Sequence, residues 1–152
     1  MMARRGRKSA RLSSGVRQRT AVIRDLQKLL ASMEPSLNPG VYAFVLAPVD
    51  FEIPPDQIIA SVREPEGLSL VIPEQLAHDR GLPVTYSAAW ITLTVHSDPA
   101  AVGLTAAFAG ALGQAGISCN VIAGVHHDHL FVPADQAQQA MAVLFDLQRA
   151  AA

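Results

Sequence analysis

The sequence is poor in cysteine, in aromatic residues and in long apolar runs, and each shortage excludes a class of protein. Its single cysteine, Cys119, cannot form an internal disulfide, which argues against a secreted scaffold held together by disulfides. No apolar run approaches the length needed to cross a bilayer. Because half of the 152 residues are apolar, the composition suits a compact protein with its own core. We therefore expect a cytoplasmic protein without membrane contact.

The start of the chain lacks acidic residues, which sets it apart from the rest. Residues 1–20 carry 7 basic side chains, whereas the remaining chain has 5 basic and 13 acidic residues and a net charge of −8. A basic arm on an acidic body can contact nucleic acid, and an acid-free start rich in arginine and serine also suits a transit peptide. A nucleic-acid platform would need aromatic residues among these charges, and the arm has none. We expect a disordered arm and no nucleic-acid partner.

Apolar periodicity and turn residues predict the elements of the first half of the body. The predicted elements are a helix over 21–33, a strand over 41–49, a hairpin over 58–72 and a short helix over 73–81. Pro65 and Gly67 supply the turn of the hairpin. Several strands and one small helix indicate a degenerate copy of the unit that follows.

The second half has a more regular pattern. A strand over 90–96 precedes a helix that Asp98 is expected to cap and Gly116 to end. Two strands and a last helix follow, over 117–124, 129–133 and 134–150. This order is a βαββα unit of the ferredoxin-like type, which lacks only its last strand. The segment 41–49 of the first half is a candidate for that vacancy.

Two segments of the second half carry a resemblance to a known family. The runs "TVHSDPAAVGLTAAFAGAL" and "GISCNVIAGVHHDHLFVP", together with "VREPEGLSLV" at 62–71, resemble the ACT-domain family, and in particular small bacterial proteins with two ACT-like halves. The resemblance covers roughly residues 22 to 150. It implies an α+β fold of βαββαβ modules that pair side by side. It also implies an amino acid or a related ligand at the interface between modules.

The resemblance also implies where a ligand would bind. The implied loop leads from the first strand of the second half into its helix, and the next strand contributes as well. The implied residues are His96, Ser97, Asp98, Val102, Gly103, Leu104, Asn120, Val121 and Ile122. A helix N-terminus offers free backbone N–H groups and a partial positive charge to a carboxylate. A glycine in the first turn would let a ligand approach the backbone.

The histidine cluster is a second candidate site. His126, His127 and His129 surround Asp128 within "HHDH". Histidine pairs of this spacing can bind zinc or iron, but a closed site needs further ligands. A polar connection between two strands explains the same residues, and we favour that interpretation. In an extended segment His127 and His129 would share one face.

These observations lead to one function and one alternative. We expect a basic arm over 1–20, an ACT-like half over 21–86 and an ACT domain over 87–152. The predicted function is a non-catalytic regulatory or sensing module that binds a small molecule, by resemblance an amino acid, and forms a homo-oligomer through paired sheets. No cofactor and no metal are expected. The alternative is a metal-dependent or histidine-based enzyme centred on 126–129.

Overall fold

The structure, a computed structural model that describes residues 26–95 and 103–152, consists of one antiparallel sheet with helices on one face. Residues 26–32 form helix α1. The other helices are α2 (Glu74–Asp79), α3 (Leu104–Gln114) and α4 (Ala137–Ala151), with 3₁₀ turns at Pro55–Gln57 and Ala134–Gln136. The strands are β1 (Glu34–Leu37), β2 (Tyr42–Ala47), β3 (Ala60–Glu64), β4 (Gly67–Pro73), β5 (Tyr86–Thr94), β6 (Asn120–Ala123) and β7 (His127–Pro133).

The strand order shows that two ferredoxin-like units are joined through β5. The order is β3-β4-β2-β5-β7-β6, and β1 also pairs with β5. The first unit consists of β2, the 3₁₀ turn at Pro55–Gln57, β3, β4, α2 and β5, which is the βαββαβ order with a degenerate first helix. In this unit β5 is the fourth strand. In the second unit, which continues through α3, β6, β7 and α4, the same β5 is the first strand.

The fourth strand of the second unit comes from the beginning of the body. β1 pairs antiparallel with the second part of β5, from Glu34↔Thr94 to Leu37↔Ile91. β2 pairs with the first part of β5, from Tyr42↔Ala88 to Phe44↔Tyr86. The prediction that the segment 41–49 fills the vacancy was therefore wrong for that unit: β2 borders only the start of β5, and β1 is the missing strand.

The main core lies between the second unit's sheet and helices α1, α3 and α4. Alternate residues of β5 and β7 point toward these helices and are fully buried, among them Ile91, Leu93 and Leu130. Phe108 and Leu144 fill the space above them from α3 and α4. A smaller core lies under α2 in the first unit, around Ala43, Val45, Leu70, Ile72, Ala77 and Leu82.

The opposite face of the sheet carries no helix and is rich in aromatic side chains. Phe44 contacts Tyr86 and Phe131 edge to face, with ring centroids 5.4 and 5.5 Å apart. Ile59 and Ala60 from one end of the strand order line a small cavity with Ile122 from the other end. The sheet must therefore curl, which makes this open face concave.

Several sequence predictions were confirmed by the fold, and others need correction. The hairpin turns at Pro65–Glu66, α2 follows Pro73, and α4 covers the predicted last helix. β1 was not predicted from the sequence, because its strand conformation depends on pairing with the distant β5. α3 buries Leu104, Phe108 and Leu112, whereas Ala115 at the C-terminal end of the helix is exposed. Among the described residues, no helix is both long and apolar enough to cross a membrane.

Candidate functional site

The predicted ligand loop leaves the sheet at the end where β5 and β6 finish and β7 begins. Thr94 lies opposite His127, and Asp128 lies opposite Ala123. Four residues of the predicted site, His96, Ser97, Asp98 and Val102, fall outside the residues that the structure describes. The described part of the predicted loop begins at Gly103.

Gly103 lies directly before α3 and not inside its first turn. Its φ of 101° is left-handed, and it is the N-cap of the helix, so the expected cap by Asp98 at this helix start was wrong. A left-handed residue cannot continue a right-handed helix, which is why α3 begins only at Leu104. A Cβ at Gly103 would lie 3.2 Å from Leu26 Cδ2, and Leu104 is buried in the core. Ligand contact here is therefore limited to backbone groups.

The three predicted residues of β6 do not form one surface. Val121 packs against the main core, whereas Ile122 points to the concave open face. Asn120 is exposed and lies opposite Phe131, about 10 Å along the strand from Ala123. Since β7 also separates β6 from β5, the structure does not bring Asn120 next to Gly103.

The histidines lie at the same end of the strands, next to the residues from which the predicted loop leaves the sheet. His126 belongs to the connection between β6 and β7, but His127, Asp128 and His129 are part of β7. The interpretation as a turn was therefore wrong for His127 and Asp128, whereas His129 lies in the strand that was predicted over 129–133. The register places His127 and His129 on one face, opposite Thr94 and Thr92, as the extended pattern predicted.

His129 is the centre of a polar chain on the open face, which sequence reasoning missed. The indole Nε1–H of Trp90 donates to His129 Nδ1 at 3.0 Å, and Thr92 Oγ1 lies 3.2 Å from the same nitrogen. Asn38 donates through Nδ2 to Thr92 Oγ1 at 2.9 Å and through its backbone N–H to the carbonyl oxygen of Trp90. Because an indole N–H can only donate, Nδ1 of His129 is an acceptor, and the ring proton lies on Nε2.

The environment of His129 favours its neutral form. Burial is the largest cause that lowers the pKa of His129 below 6.5, and the charge of His127 on the same face adds to it. Asp128, which points to the other face, opposes the shift. The hydrogen bond from Trp90 requires the same neutral ring, so geometry and electrostatics agree.

Acidification is therefore expected to remove stability that depends on neutral His129. The folded-state pKa lies below the ordinary value of 6.5, so the contribution is complete above pH 6.5 and is lost as the pH falls through the folded pKa. Between about pH 7 and about pH 5, the unfolding free energy of the wild type should fall more steeply than that of His129→Gln, by at most about 1.4 kcal/mol per pH unit. Urea denaturation across this range measures both slopes.

A matched control is His78→Gln, since His78 is exposed on α2, away from the polar chain. This variant should keep the wild-type slope. Identical slopes for the wild type and His129→Gln would show that His129 does not couple folding to protonation in this range.

The other reactive groups of the described residues do not assemble into a catalytic or metal centre. In residues 26–95 and 103–152, no three His, Cys, Asp or Glu side chains are grouped as a metal ion would require. Burial raises the pKa of the Cys119 thiol to about 11, so the thiolate is scarce at neutral pH. The rings of His126 and His127 lie 6.3 Å apart at the sheet edge.

Two joined ferredoxin-like units with a shared central strand form a tandem architecture, and comparisons with known proteins agree with it. ACT-domain family models match residues 21–89 and residues 86–146. The two matches overlap in the first residues of β5, the strand that both units share. No curated protein matches this chain at a significant level.

Solved structures share this fold. A protein of unknown function from Vibrio cholerae, described as a possible transport protein, is 46% identical with a TM-score of 0.74, over 84% of this chain and 98% of that one. A protein from Agrobacterium tumefaciens is 17% identical, with a TM-score of 0.57 over 76% and 89% of the two chains. The regulatory subunit of aspartate kinase from Thermus flavus is 10% identical, with a TM-score of 0.52 over 76% and 96%. The chain belongs to the ACT-domain family and contains two tandem ACT domains.

Proposed function

We propose that this protein is a non-catalytic sensor that binds an amino acid where β5 leads into α3. The single observation that carries this proposal is the tandem ACT architecture, in which the start of α3 belongs to an ACT unit whose first strand is shared with the other unit. ACT domains are typically regulatory modules for amino acids. Occupancy of the site would then bias how the units are paired, and a partner or an oligomer would respond. The proposed place of action is the cytoplasm.

The local chemistry at α3 supports a carboxylate ligand. The helix has no side-chain hydrogen bond at its N-cap and no acidic residue in its first turn. Among the described residues, no side chain caps the first N–H groups of the helix, and no acidic residue of its first turn offsets the positive end of the helix dipole. His127 and His126 lie at the same sheet edge and offer further polar contacts.

A thermal-shift screen of the amino acids tests the proposal, because a ligand that binds only the folded state raises the melting temperature. The expected result is a shift for one amino acid or a small group of related ones. Calorimetry should then give a stoichiometry of one ligand per chain. If no amino acid shifts the melting temperature or gives binding heat, the proposed function is wrong.

Gly103→Leu would be a poor test of this site. A leucine at a φ of 101° is strained, and its Cβ would press against Leu26, so a loss of binding could reflect a damaged fold. Ala106→Glu is the better variant, because Ala106 is exposed in the first turn of α3. A carboxylate there repels a ligand carboxylate by about 1 kcal/mol, which should weaken binding about fivefold. The same charge should stabilise the helix by roughly 0.3–1 kcal/mol.

Ala106→Gln is the matched control, since it adds nearly the same volume without charge. It should leave both affinity and stability close to the wild type. An affinity for the amino acid that is unchanged by Ala106→Glu would place the ligand away from the start of α3.

The oligomer is proposed to form through the sheet edges. β3 and β6 end the strand order, so each has one edge that no strand of the described residues covers. Such edges can pair with a second copy, as ACT units do side by side. Sedimentation equilibrium should give a dimer or a larger closed assembly, and a monomer at all concentrations would contradict this part of the proposal.

A further inference from the structure

The concave open face holds a cavity that is separate from the start of α3. Its volume is about 360 Å³, within the range of roughly 300–1,000 Å³ that is typical of small-molecule pockets. Phe44 and Val71 form its floor, Val62 and Leu46 lie at its sides, and Ile122 of β6 reaches it from the other end of the curled sheet. Most of the lining is therefore apolar.

Two of these apolar side chains are unusually exposed. Leu46 is 45% exposed, although the other face of its strand is packed, and Val62 of β3 is 58% exposed. Exposed apolar side chains around a concave surface are characteristic of a binding site. A flat protein surface would leave the cavity unfilled, whereas a small molecule with an apolar body would fill it.

The charge at this cavity has one sign. Glu64 ends β3 and Glu66 lies in the turn of the β3–β4 hairpin, and they are the only ionisable side chains among the described residues that line the cavity. Ser69 donates a hydrogen bond to Glu64 Oε1, which holds this carboxylate across the hairpin at the cavity. Arg63, the basic neighbour in sequence, alternates to the other face of β3.

We propose that this cavity binds a small organic ammonium ion, with its apolar body on Phe44 and Val71 and its cationic head at Glu64 and Glu66. A desolvated apolar body supplies most of the affinity, and the carboxylates select the sign of the charge. A bare metal ion does not fit, because the walls provide few oxygen ligands. The site is independent of the amino-acid site, which lies at the start of α3.

Hexylamine is the probe, and 1-hexanol and hexanoate are its matched comparisons with the same chain and a neutral or negative head. Calorimetry on the full chain should show binding in the order hexylamine, hexanol, hexanoate. In the double variant Glu64→Gln/Glu66→Gln, hexylamine should bind about tenfold more weakly, while hexanol binding is unchanged. Glu52→Gln, an exposed glutamate away from the cavity, should leave both affinities at the wild-type level.

A second variant tests the place of the apolar body. Val62→Phe fills the cavity at an exposed position and should abolish binding of both hexylamine and hexanol. Val49→Phe, at a position 64% exposed outside the cavity, is its control and should bind normally. Circular dichroism verifies that both variants are folded.

Three results would overturn the proposal. One is the absence of hexylamine binding up to roughly 10 mM, and another is equal binding of hexylamine and hexanoate. The third is a wild-type dimer that Val62→Phe dissociates, since this would make the open face an interface between copies of the chain.

Discussion

Replacement of Gly67 by alanine is expected to lower the free energy of unfolding by about 3 kcal/mol or more. Gly67 begins β4 with a φ of 147°, a conformation that residues with a side chain rarely adopt. A Cβ at this position would lie 2.6 Å from the carbonyl oxygen of Ala47, which is backbone and cannot move aside freely. The strain and the overlap act together, so either β4 shifts away from β2 or the hairpin is distorted. Urea denaturation measures the loss.

Two other glycines separate these causes. Gly40 also has a left-handed φ, but nothing lies within 4 Å of its added Cβ, so Gly40→Ala should cost only about 1 kcal/mol. Gly110 is helical and equally open, so Gly110→Ala should stabilise the protein by roughly 0.5–1 kcal/mol. A loss for Gly67→Ala no larger than that for Gly40→Ala would show that the close approach to Ala47 is unimportant.

Truncation of Ile91 should destabilise both ACT units at once. Ile91 is fully buried on β5, between Leu37 of β1 and Leu130 of β7. Ile91→Ala removes buried methyl groups and leaves a cavity, which typically costs about 2–5 kcal/mol. Because β5 belongs to both units, the whole sheet should unfold in one transition. Hydrogen exchange should therefore show equal losses of protection in the β3–β4 hairpin and in the β6–β7 pair.

Val49→Ala is the control for this truncation. Val49 is exposed outside the strands, so its loss should change the unfolding free energy by less than about 0.5 kcal/mol. Lowered protection in β6 and β7 alone after Ile91→Ala would mean that the units unfold separately, in spite of the shared strand.

The sequence predicted the elements whose signals are local. Pro65 and Gly67 identified the hairpin, alternation identified β5, and helical spacing identified α4, because each signal lies within the element itself. The prediction of where α3 begins was wrong for a related reason. Asp98 and Pro99 form a good local start signal, but the chain near Gly103 adopts a left-handed turn beside Leu26, a residue more than seventy positions away.

The parts of the fold that depend on distant pairing could not be predicted from local signals. β1 contains Pro35, which reads as the end of a helix, and its strand conformation is imposed by pairing with β5. Likewise, no local signal indicates that Asn38 lies beside Thr92 and Trp90. No pattern in the residues of β5 indicates that two ACT units share this strand.

In the candidate sites, too, some parts could be predicted from local sequence and others depend on how distant segments pair. The family resemblance supplied the segment around α3, and a prediction for His96, Ser97, Asp98 and Val102 still stands without structural description. Asn120 was grouped with that loop because both lie in the same unit, but the register sets them apart. The cavity beside Glu64 depends on the curl of the sheet, and no sequence pattern indicates how far a sheet curls.

The position of β1 affects the chain while it is being synthesised. Residues 42–94 contain every strand of the first unit, so that unit can assemble before β6, β7 and α4 leave the ribosome. β1 emerges earlier, yet it completes a unit whose last helix is made at the end. A nascent chain whose β5 has left the ribosome before β7 presents the β5 edge reserved for β7, and an open edge of this kind recruits strands from other chains. Translation through β7 therefore protects the protein from aggregation.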